Sequence, residues 1–170
     1  MAEQIKKVTL RARDGEVFTI EQDIAKEFGI LERIMEEDGF SEFFPVPNVR
    51  SAALEKVIQY CRKHLEFRTR AAQHGGGQTD IHNSGDAKAF DDGFVSDLSN
   101  NELRELIFAA NYLEVKELLD LLSQTIADRI KNKSVEYARE FLGIENDYTT
   151  EELNALREKN AWAFEGVDDD

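Results

Sequence analysis

The segment of residues 115–130 restricts the fold most, because its apolar residues are spread too widely for an ordinary surface helix. Its spacing predicts a helix, and its apolar positions cover more than the roughly 100° stripe that one buried face requires. Those positions are Leu118, Leu119, Leu121, Leu122, Ile126 and Ile130. Such a helix must be covered on two sides. It is either a central core helix or a helix that packs on the core with one face and on a partner with another.

The residues that follow favour the second alternative. Residues 134–170 contain 11 acids against 3 bases, and their apolar residues are scattered. This segment looks too polar to cover the second face of the helix itself. Trp162 stands near the chain end in acidic surroundings, and tryptophan is a favoured anchor of protein interfaces. We therefore predict that the helical region of residues 99–162 binds a partner protein.

The first half of the chain has a mixed α/β pattern. Two short β-rich runs flank Asp14 and Gly15, which predicts a hairpin. Apolar residues then recur at helical spacing and are interrupted at Gly29, which predicts two short helices. A loop is expected over residues 39–47, with Phe40, Phe43 and Phe44 either on the core or exposed. Prolines at positions 45 and 47 exclude a central helix, so an edge strand is predicted over residues 45–49.

The rest of the chain is predicted to be helical apart from one long loop. Ser51 is expected to cap a helix that runs to about Leu65. Periodicity is lost over residues 68–89, which predicts a flexible loop. Capping boxes at Ser99 and Thr149 predict the starts of two further helices, the second running to residue 162, and a short helix is expected from Ser134 to residue 142. We therefore predict a mixed α/β fold of the α+β class, with a helical tail.

No residue pattern supports catalysis, a metal site or a cofactor. Cys61 and His64 are one helical turn apart, but no second Cys/His pair could complete a metal site, and Cys61 falls on a buried face. His74 and His82 flank a triple glycine that lacks the lysine of a phosphate-binding loop. We therefore expect a protein that is not an enzyme and that has no catalytic residues, no metal ligands and no cofactor.

The formal net charge of −14 opposes binding to nucleic acid or to an anionic membrane. A single cysteine fits a reducing compartment, and neither a signal sequence nor a run of 18 apolar residues is visible. We expect a cytoplasmic and nuclear protein.

Several short stretches, in order over nearly the whole chain, match one family. They are residues 14–17 (Asp-Gly-Glu-Val), 23–26 (Asp-Ile-Ala-Lys), 47–49 (Pro-Asn-Val), 57–61 (Val-Ile-Gln-Tyr-Cys), 106–113 (Leu-Ile-Phe-Ala-Ala-Asn-Tyr-Leu), 116–120 (Lys-Glu-Leu-Leu-Asp), 144–148 (Ile-Glu-Asn-Asp-Tyr) and 157–162 (Arg-Glu-Lys-Asn-Ala-Trp). The chain resembles the S-phase-kinase-associated adaptors, the F-box-binding subunits of SCF cullin–RING ubiquitin ligases.

The resemblance implies a BTB/POZ fold over residues 1–130, a C-terminal helical extension over residues 131–164 that binds F-box proteins, and an acidic tail over residues 165–170. It implies that Asn111 and Tyr112 contact a cullin. The implied F-box-binding residues are Leu119, Ser123, Ile126, Ile130, Ile144, Asn146, Tyr148 and Trp162.

Two further expectations accompany the resemblance. One alternative function is a scaffold without a role in ubiquitin transfer, either of a kinetochore type or similar to elongin C. Without an F-box partner, the apolar C-terminal helices should not remain bare, so we expect a homodimer through them.

Overall fold

The computed structural model describes residues 6–37, 42–73 and 85–168. Phe40, His74, His82 and the triple glycine lie outside this part of the chain, as do the last two residues of the predicted acidic tail. The chain divides into two compact units, Met1–Ser123 and Gln124–Asp170. Each unit is described by itself.

The described elements alternate in type only near the start of the chain. In order they are β1 (Lys7–Ala12), β2 (Val17–Glu21), α1 (Gln22–Ala25), α2 (Gly29–Glu37), β3 (Phe43–Val46), α3 (Ser51–Gln73), α4 (Gly85–Ser96), α5 (Asn100–Tyr112), α6 (Lys116–Ile130), α7 (Val135–Leu142), α8 (Thr150–Lys159) and a final 3-10 helix (Ala161–Phe164). This is the α+β class with C-terminal helices that the sequence predicted.

A small sheet forms one layer of the first unit, in the order β2-β1-β3. β1 and β2 are antiparallel, with Val8 opposite Ile20, and Gly15 between them has a φ of +89°. β3 runs parallel to β1 at the sheet edge, so the predicted hairpin and the existence of an edge strand are both confirmed. The predicted bounds of the edge strand, residues 45–49, were wrong, because the strand spans Phe43–Val46. The predicted loop over residues 39–47 was too long, because the strand already begins at Phe43. Phe44 is buried and Phe43 is exposed, as the alternation of a strand requires.

The start of α3 is held by the hairpin rather than by its own serine. The backbone amide of Ser51 donates to Asp14 Oδ2 at 3.1 Å, and the Ser51 hydroxyl donates to the same oxygen at 2.6 Å. The prediction that Ser51 caps the helix was therefore wrong, since the carboxylate of Asp14 accepts these bonds. Both bonds favour the ionised carboxylate and lower the pKa of Asp14.

Helical structure extends into both ends of the segment predicted to be a loop over residues 68–89. α3 continues to Gln73 instead of ending near Leu65, and α4 begins at Gly85. Phe67 of α3 and Ala87 of α4 are both buried in one cluster, against which Phe90 packs. This tertiary contact stabilises turns that have little periodicity of their own.

Helices α3 and α5 pack against each other in the core of the first unit. Both helices bury apolar side chains there, with Leu54 and Val57 on α3 and Leu103 and Leu106 on α5 fully buried. The predicted capping box at Ser99 is confirmed, since its side chain accepts from the Glu102 amide while the Glu102 carboxylate accepts from the Ser99 amide. The Ser99 hydroxyl also donates to Glu102 Oε2, at 2.6 Å. This bond and the one from the Ser99 amide favour the ionised carboxylate and lower the pKa of Glu102.

The second unit contains the end of α6 together with α7, α8 and the 3-10 helix. Ser134 caps α7, and Thr149 forms the predicted capping box with Glu152, so both predicted helix starts are confirmed. The last helix was predicted to reach residue 162, but α8 ends at Lys159 and a separate 3-10 helix follows. No helix in the described ranges is both long and apolar enough to cross a membrane.

Candidate partner-binding surfaces

Helix α6 buries one side and leaves another accessible. Leu118 and Leu122 are completely buried, whereas Leu119 and Leu121 are only partly buried. The hydroxyl of Ser123 is exposed and donates to the carbonyl oxygen of Leu119 at 2.7 Å. The first unit therefore keeps one side of this helix in its core and leaves the side with Leu119 and Ser123 for another contact.

The second-unit part of α6 continues this pattern. Ile126 and Ile130 are partly exposed. Positions 119, 123, 126 and 130 are four, three and four residues apart, a spacing that places them on one face of a helix.

The loop between α7 and α8 presents the next group of predicted residues. Gly143 ends α7 in the left-handed conformation, at a φ of 68°. Ile144 is 56% exposed and Tyr148 is also exposed. The Tyr148 amide donates to Asn146 Oδ1 at 3.2 Å, and the Arg139 guanidinium lies 5.9 Å from the centre of the Tyr148 ring. The loop thus presents two apolar side chains, Ile144 and Tyr148, to solvent.

Trp162 lies on the 3-10 helix and is 74% exposed. Asn160 connects this helix to α8, because its side-chain amide donates to the Leu156 carbonyl at 2.8 Å. Farther along, the Asp168 amide donates to the Asn132 carbonyl at 2.8 Å, and Lys133 Nζ lies 2.9 Å from the Asp168 carboxylate. Asp168 is thus attached to the turn after α6, while the tryptophan remains exposed.

Sequence reasoning missed several exposed apolar side chains of the second unit. They are Val135, Leu142, Leu156 and Phe164. Val135 and Leu142 are seven residues apart on one helix, a spacing that could have identified them. Phe141 is the only buried apolar residue among the described residues of this unit. The large apolar side chains in the described part of this unit, apart from Phe141, are therefore at least partly exposed.

The two residues predicted to contact a cullin lie at the end of α5 in the first unit. Asn111 is exposed and Tyr112 is partly exposed. One turn earlier on the same helix stands Phe108, which sequence reasoning did not select and which is 72% exposed. α5 therefore carries a second accessible surface, separate in sequence from the loop and the 3-10 helix.

The sulfur and imidazole groups considered for catalysis are structural. Cys61 is buried as predicted, and burial raises the pKa of its thiol well above the ordinary value, which opposes formation of the reactive thiolate. His64 is 2% exposed and stacks on Tyr60, with ring centres 4.1 Å apart. Its Nε2 lies 2.8 Å from Asp91 Oδ1, so a carboxylate on α4 is its partner. In the described ranges no group of three His, Cys, Asp or Glu side chains could hold a metal ion.

The fold and its surfaces define a protein-binding module of the BTB/POZ type, with a helical extension that exposes apolar side chains. Comparison with known families agrees on both parts. Residues 6–66 match the tetramerisation domain of the Skp1 family, and residues 116–163 match its dimerisation domain.

Individual relatives are similar over nearly their whole length. SKP1-like protein 1A of Arabidopsis thaliana is 42% identical over 162 residues, which cover 94% of this chain and 98% of the relative. SKP1-like protein 3 of Arabidopsis thaliana is 40% identical over 168 residues, covering 97% of this chain and 100% of the relative. SKP1-like protein 20 of Oryza sativa subsp. japonica is 40% identical over 172 residues, covering 96% of this chain and 98% of the relative.

The chain belongs to the Skp1 family. It is an adaptor of the SCF type of ubiquitin ligase, which binds F-box proteins and a cullin, and the family is non-catalytic. Nothing in the comparisons favours the alternative of a scaffold without a role in ubiquitin transfer.

Proposed function

We propose that the adaptor contacts F-box proteins through Leu119, Ser123, Ile126, Ile130, Ile144, Asn146, Tyr148 and Trp162. The main support is the amount of exposed apolar surface in the second unit, above all the side chain of Trp162. An aromatic side chain of this kind removes about 150–250 Å² from water when it is covered. At about 25 cal/mol per Å², that burial is worth several kcal/mol to a partner that receives it.

The cullin-binding part of the proposal concerns Asn111 and Tyr112 at the end of α5. Neither residue is needed for the core, since Asn111 is exposed and Tyr112 partly exposed, and both follow the buried pair Ala109 and Ala110 on a helix fixed in the first unit. A contact surface on a firmly packed helix suits recognition by a rigid partner. In this proposal residues 1–130 bind the cullin, residues 131–164 complete the F-box contact, and residues 165–170 form an acidic tail.

Replacing Tyr112 with alanine tests whether the cullin and the F-box proteins bind at separate surfaces. The substitution removes a large contact side chain, so cullin binding should weaken by about 2 kcal/mol, the size typical of an interface hot spot. F-box binding should be unchanged. Both affinities are measured by calorimetric titration of the purified chain with an F-box protein and with the N-terminal domain of a cullin. Loss of both affinities would point to a folding defect, and loss of neither would remove Tyr112 from the proposed surface.

We further propose that the free chain forms a homodimer through its C-terminal helices, because the exposed apolar residues of the second unit favour burial against a like surface. Sedimentation velocity should show a dimer that an F-box fragment converts to a one-to-one complex. A monomer at high protein concentration would contradict this part of the proposal.

Three expectations of partners and location complete the proposal. The net charge of −14 disfavours nucleic acid and anionic membranes as partners. The single cysteine, which is buried and free, suits the reducing conditions of the cytoplasm and nucleus. Imaging of a tagged chain tests the location.

A further inference from the structure

Helix α6 begins beside a partly buried arginine of α3. One guanidinium nitrogen of Arg68 donates to both carboxylate oxygens of Glu117, in the first turn of α6, at 3.3 Å each. The other nitrogen donates to the carboxylate of Glu27, in the turn between α1 and α2. Arg68 therefore joins the start of α6 to two other elements of the first unit.

These three charges are largely withdrawn from solvent. The side chains of Arg68, Glu27 and Glu117 are 20%, 25% and 39% exposed. Fully exposed ion pairs contribute little, but charges interact more strongly away from water, and removing one partner leaves the other uncompensated. Loss of the guanidinium would leave two carboxylates without the cation that they share.

A second side chain of α3 supports the same attachment. His64 lies one turn before Arg68, and its Nδ1 lies 3.6 Å from Glu117 Oε2. Its Nε2 lies 2.8 Å from Asp91 on α4. Glu117 thus meets two polar side chains of α3 on successive turns, which fixes the first turn of α6 at a defined place on that helix.

Glu117 and the proposed F-box surface lie on different sides of α6. At about 100° per residue, Leu119 lies about 200° from Glu117 around the helix. Leu118 and Leu122, which are completely buried, lie between them. Arg68 therefore holds α6 from the side away from Leu119.

The apolar contacts of α6 stabilise the helix but do not closely fix its rotation, because hydrophobic burial is non-directional. A planar guanidinium that holds a carboxylate with each of two nitrogens does constrain geometry. A helix measures about 5–6 Å from its axis to the outer side chains, so a rotation of about 20° moves such a side chain by about 2 Å. Since interface cores are packed as closely as protein interiors, a displacement of this size weakens a contact.

We propose that Arg68 is a positioning residue for F-box binding, because its bonds to Glu117 fix the rotation of α6 and thereby the placement of Leu119 and Ser123. All four residues belong to the first unit. This inference rests on the proposed function, since it takes F-box proteins to bind at Leu119 and Ser123.

The test measures the affinity of the full chain for an F-box protein, at a temperature well below the melting temperature of every variant. Arg68→Met removes the charge but keeps a long side chain, and should weaken binding by about tenfold, a typical coupling within an ion-pair network. Arg68→Lys keeps the charge but offers one nitrogen in place of two, so it should lose less. Glu117→Gln should behave like Arg68→Met. The double variant should lose no more than either single variant, because both act through one contact.

Arg70→Met is the matched control. Arg70 is another arginine of α3, but it pairs with Asp86 on α4, at 3.4 Å. Its substitution should leave F-box affinity at the parent value. Affinity for the N-terminal domain of a cullin should be unchanged in the Arg68→Met chain, because Asn111 and Tyr112 lie on α5.

The outcomes separate positioning from stability. If Arg68→Met lowers the melting temperature but binds the F-box protein within about twofold of the parent, a change below hot-spot size, Arg68 only stabilises the fold and the inference is overturned. Loss of both F-box and cullin affinity, together with loss of helical circular dichroism, would also assign Arg68 to the fold and overturn it.

Leu119→Asp distinguishes failure of this inference from failure of the proposed function. If Leu119→Asp abolishes F-box binding and Arg68→Met does not weaken it, the inference fails and the proposed function stands. If Leu119→Asp leaves F-box binding intact, the proposed surface is wrong and the inference fails with it.

Discussion

Replacing Ile126 with aspartate is expected to abolish binding of F-box proteins. Ile126 lies on the accessible part of α6 and is only partly buried in the free chain. A carboxylate at this position would be covered by the partner without a group to pair with it, and burying an unpaired charge is strongly unfavourable. We expect a loss of about 3–5 kcal/mol of binding free energy, which corresponds to at least about a hundredfold in Kd. Leu119→Asp, seven residues and so about two turns earlier on the same helix, should have a similar effect.

The chain supplies its own probe for this measurement. Trp162 is its only tryptophan and is 74% exposed. Covering the ring with an F-box protein should shift its fluorescence emission to shorter wavelength, and the shift can be followed in a titration. The parent chain should show the shift, and the Ile126→Asp chain should show none at the same protein concentrations.

Ala127→Asp is the matched control for this experiment. Ala127 is exposed, lies on the same helix and adjoins Ile126, so the substitution adds the same charge to α6 on a neighbouring face. Binding of the F-box protein by the Ala127→Asp chain should remain close to that of the parent. If Ile126→Asp binds as well as this control, Ile126 does not belong to the F-box surface.

Features set by neighbouring residues could be predicted from the sequence. The hairpin around Asp14 and Gly15 and the two capping boxes depend on groups within a few residues of one another, and all three are present. The edge position of β3 followed from the missing amide of its proline. Even among these local features, the prediction that Ser51 caps α3 was wrong, because its hydroxyl donates to Asp14, a residue distant in the sequence.

Structure that depends on distant contacts could not be predicted in this way. Helix α4 has few apolar residues in a regular pattern, and of these only Ala87 is fully buried. Its position depends on contacts with α3, including the packing of Phe90 near Phe67. No local sequence pattern indicates such a contact, so the sequence predicted a loop over residues 68–89.

The residues of the candidate site also differ in how far the sequence alone could identify them. The periodicity of α6 alone identified a helix with an accessible second face, and the helix is present. Ile144, Asn146 and Tyr148 came from the resemblance, since they lie in a loop without periodic spacing. Phe108 was overlooked because it follows Leu106 and Ile107 and precedes two buried alanines, so the sequence does not reveal that it faces solvent.

The contact between α3 and α4 leads to the largest stability effect that we expect, from replacing His64 with alanine. The His64 ring is buried, stacks on Tyr60 and meets Phe67 and Phe90 edge-on. Alanine would leave a cavity in place of the ring and deprive the Asp91 carboxylate of its hydrogen-bond partner at 2.8 Å. Since a large-to-small core change typically costs 2–5 kcal/mol and an orphaned polar group about 1–3 kcal/mol, we expect a loss of about 3 kcal/mol in unfolding free energy.

Urea denaturation of the full chain, followed by far-ultraviolet circular dichroism, measures this loss. Hydrogen exchange should also accelerate at the backbone amides of α4, because the His64–Asp91 bond joins that helix to α3.

Two further variants separate the causes of the effect. His64→Phe retains an aromatic ring but removes the bond to Asp91, so its loss should be smaller than that of alanine and should report the hydrogen bond. Lys63→Ala removes a surface ion pair with Glu66, at 2.8 Å, and a cation–π contact with the Phe67 ring, at 5.5 Å, and should cost no more than about 1 kcal/mol. If His64→Ala were no less stable than Lys63→Ala, and if exchange in α4 were unchanged, the buried imidazole would not be what holds α4 against α3. A full loss in the phenylalanine variant would instead assign the stabilisation to the hydrogen bond alone, since an aromatic ring would still fill the space between Tyr60 and Phe90.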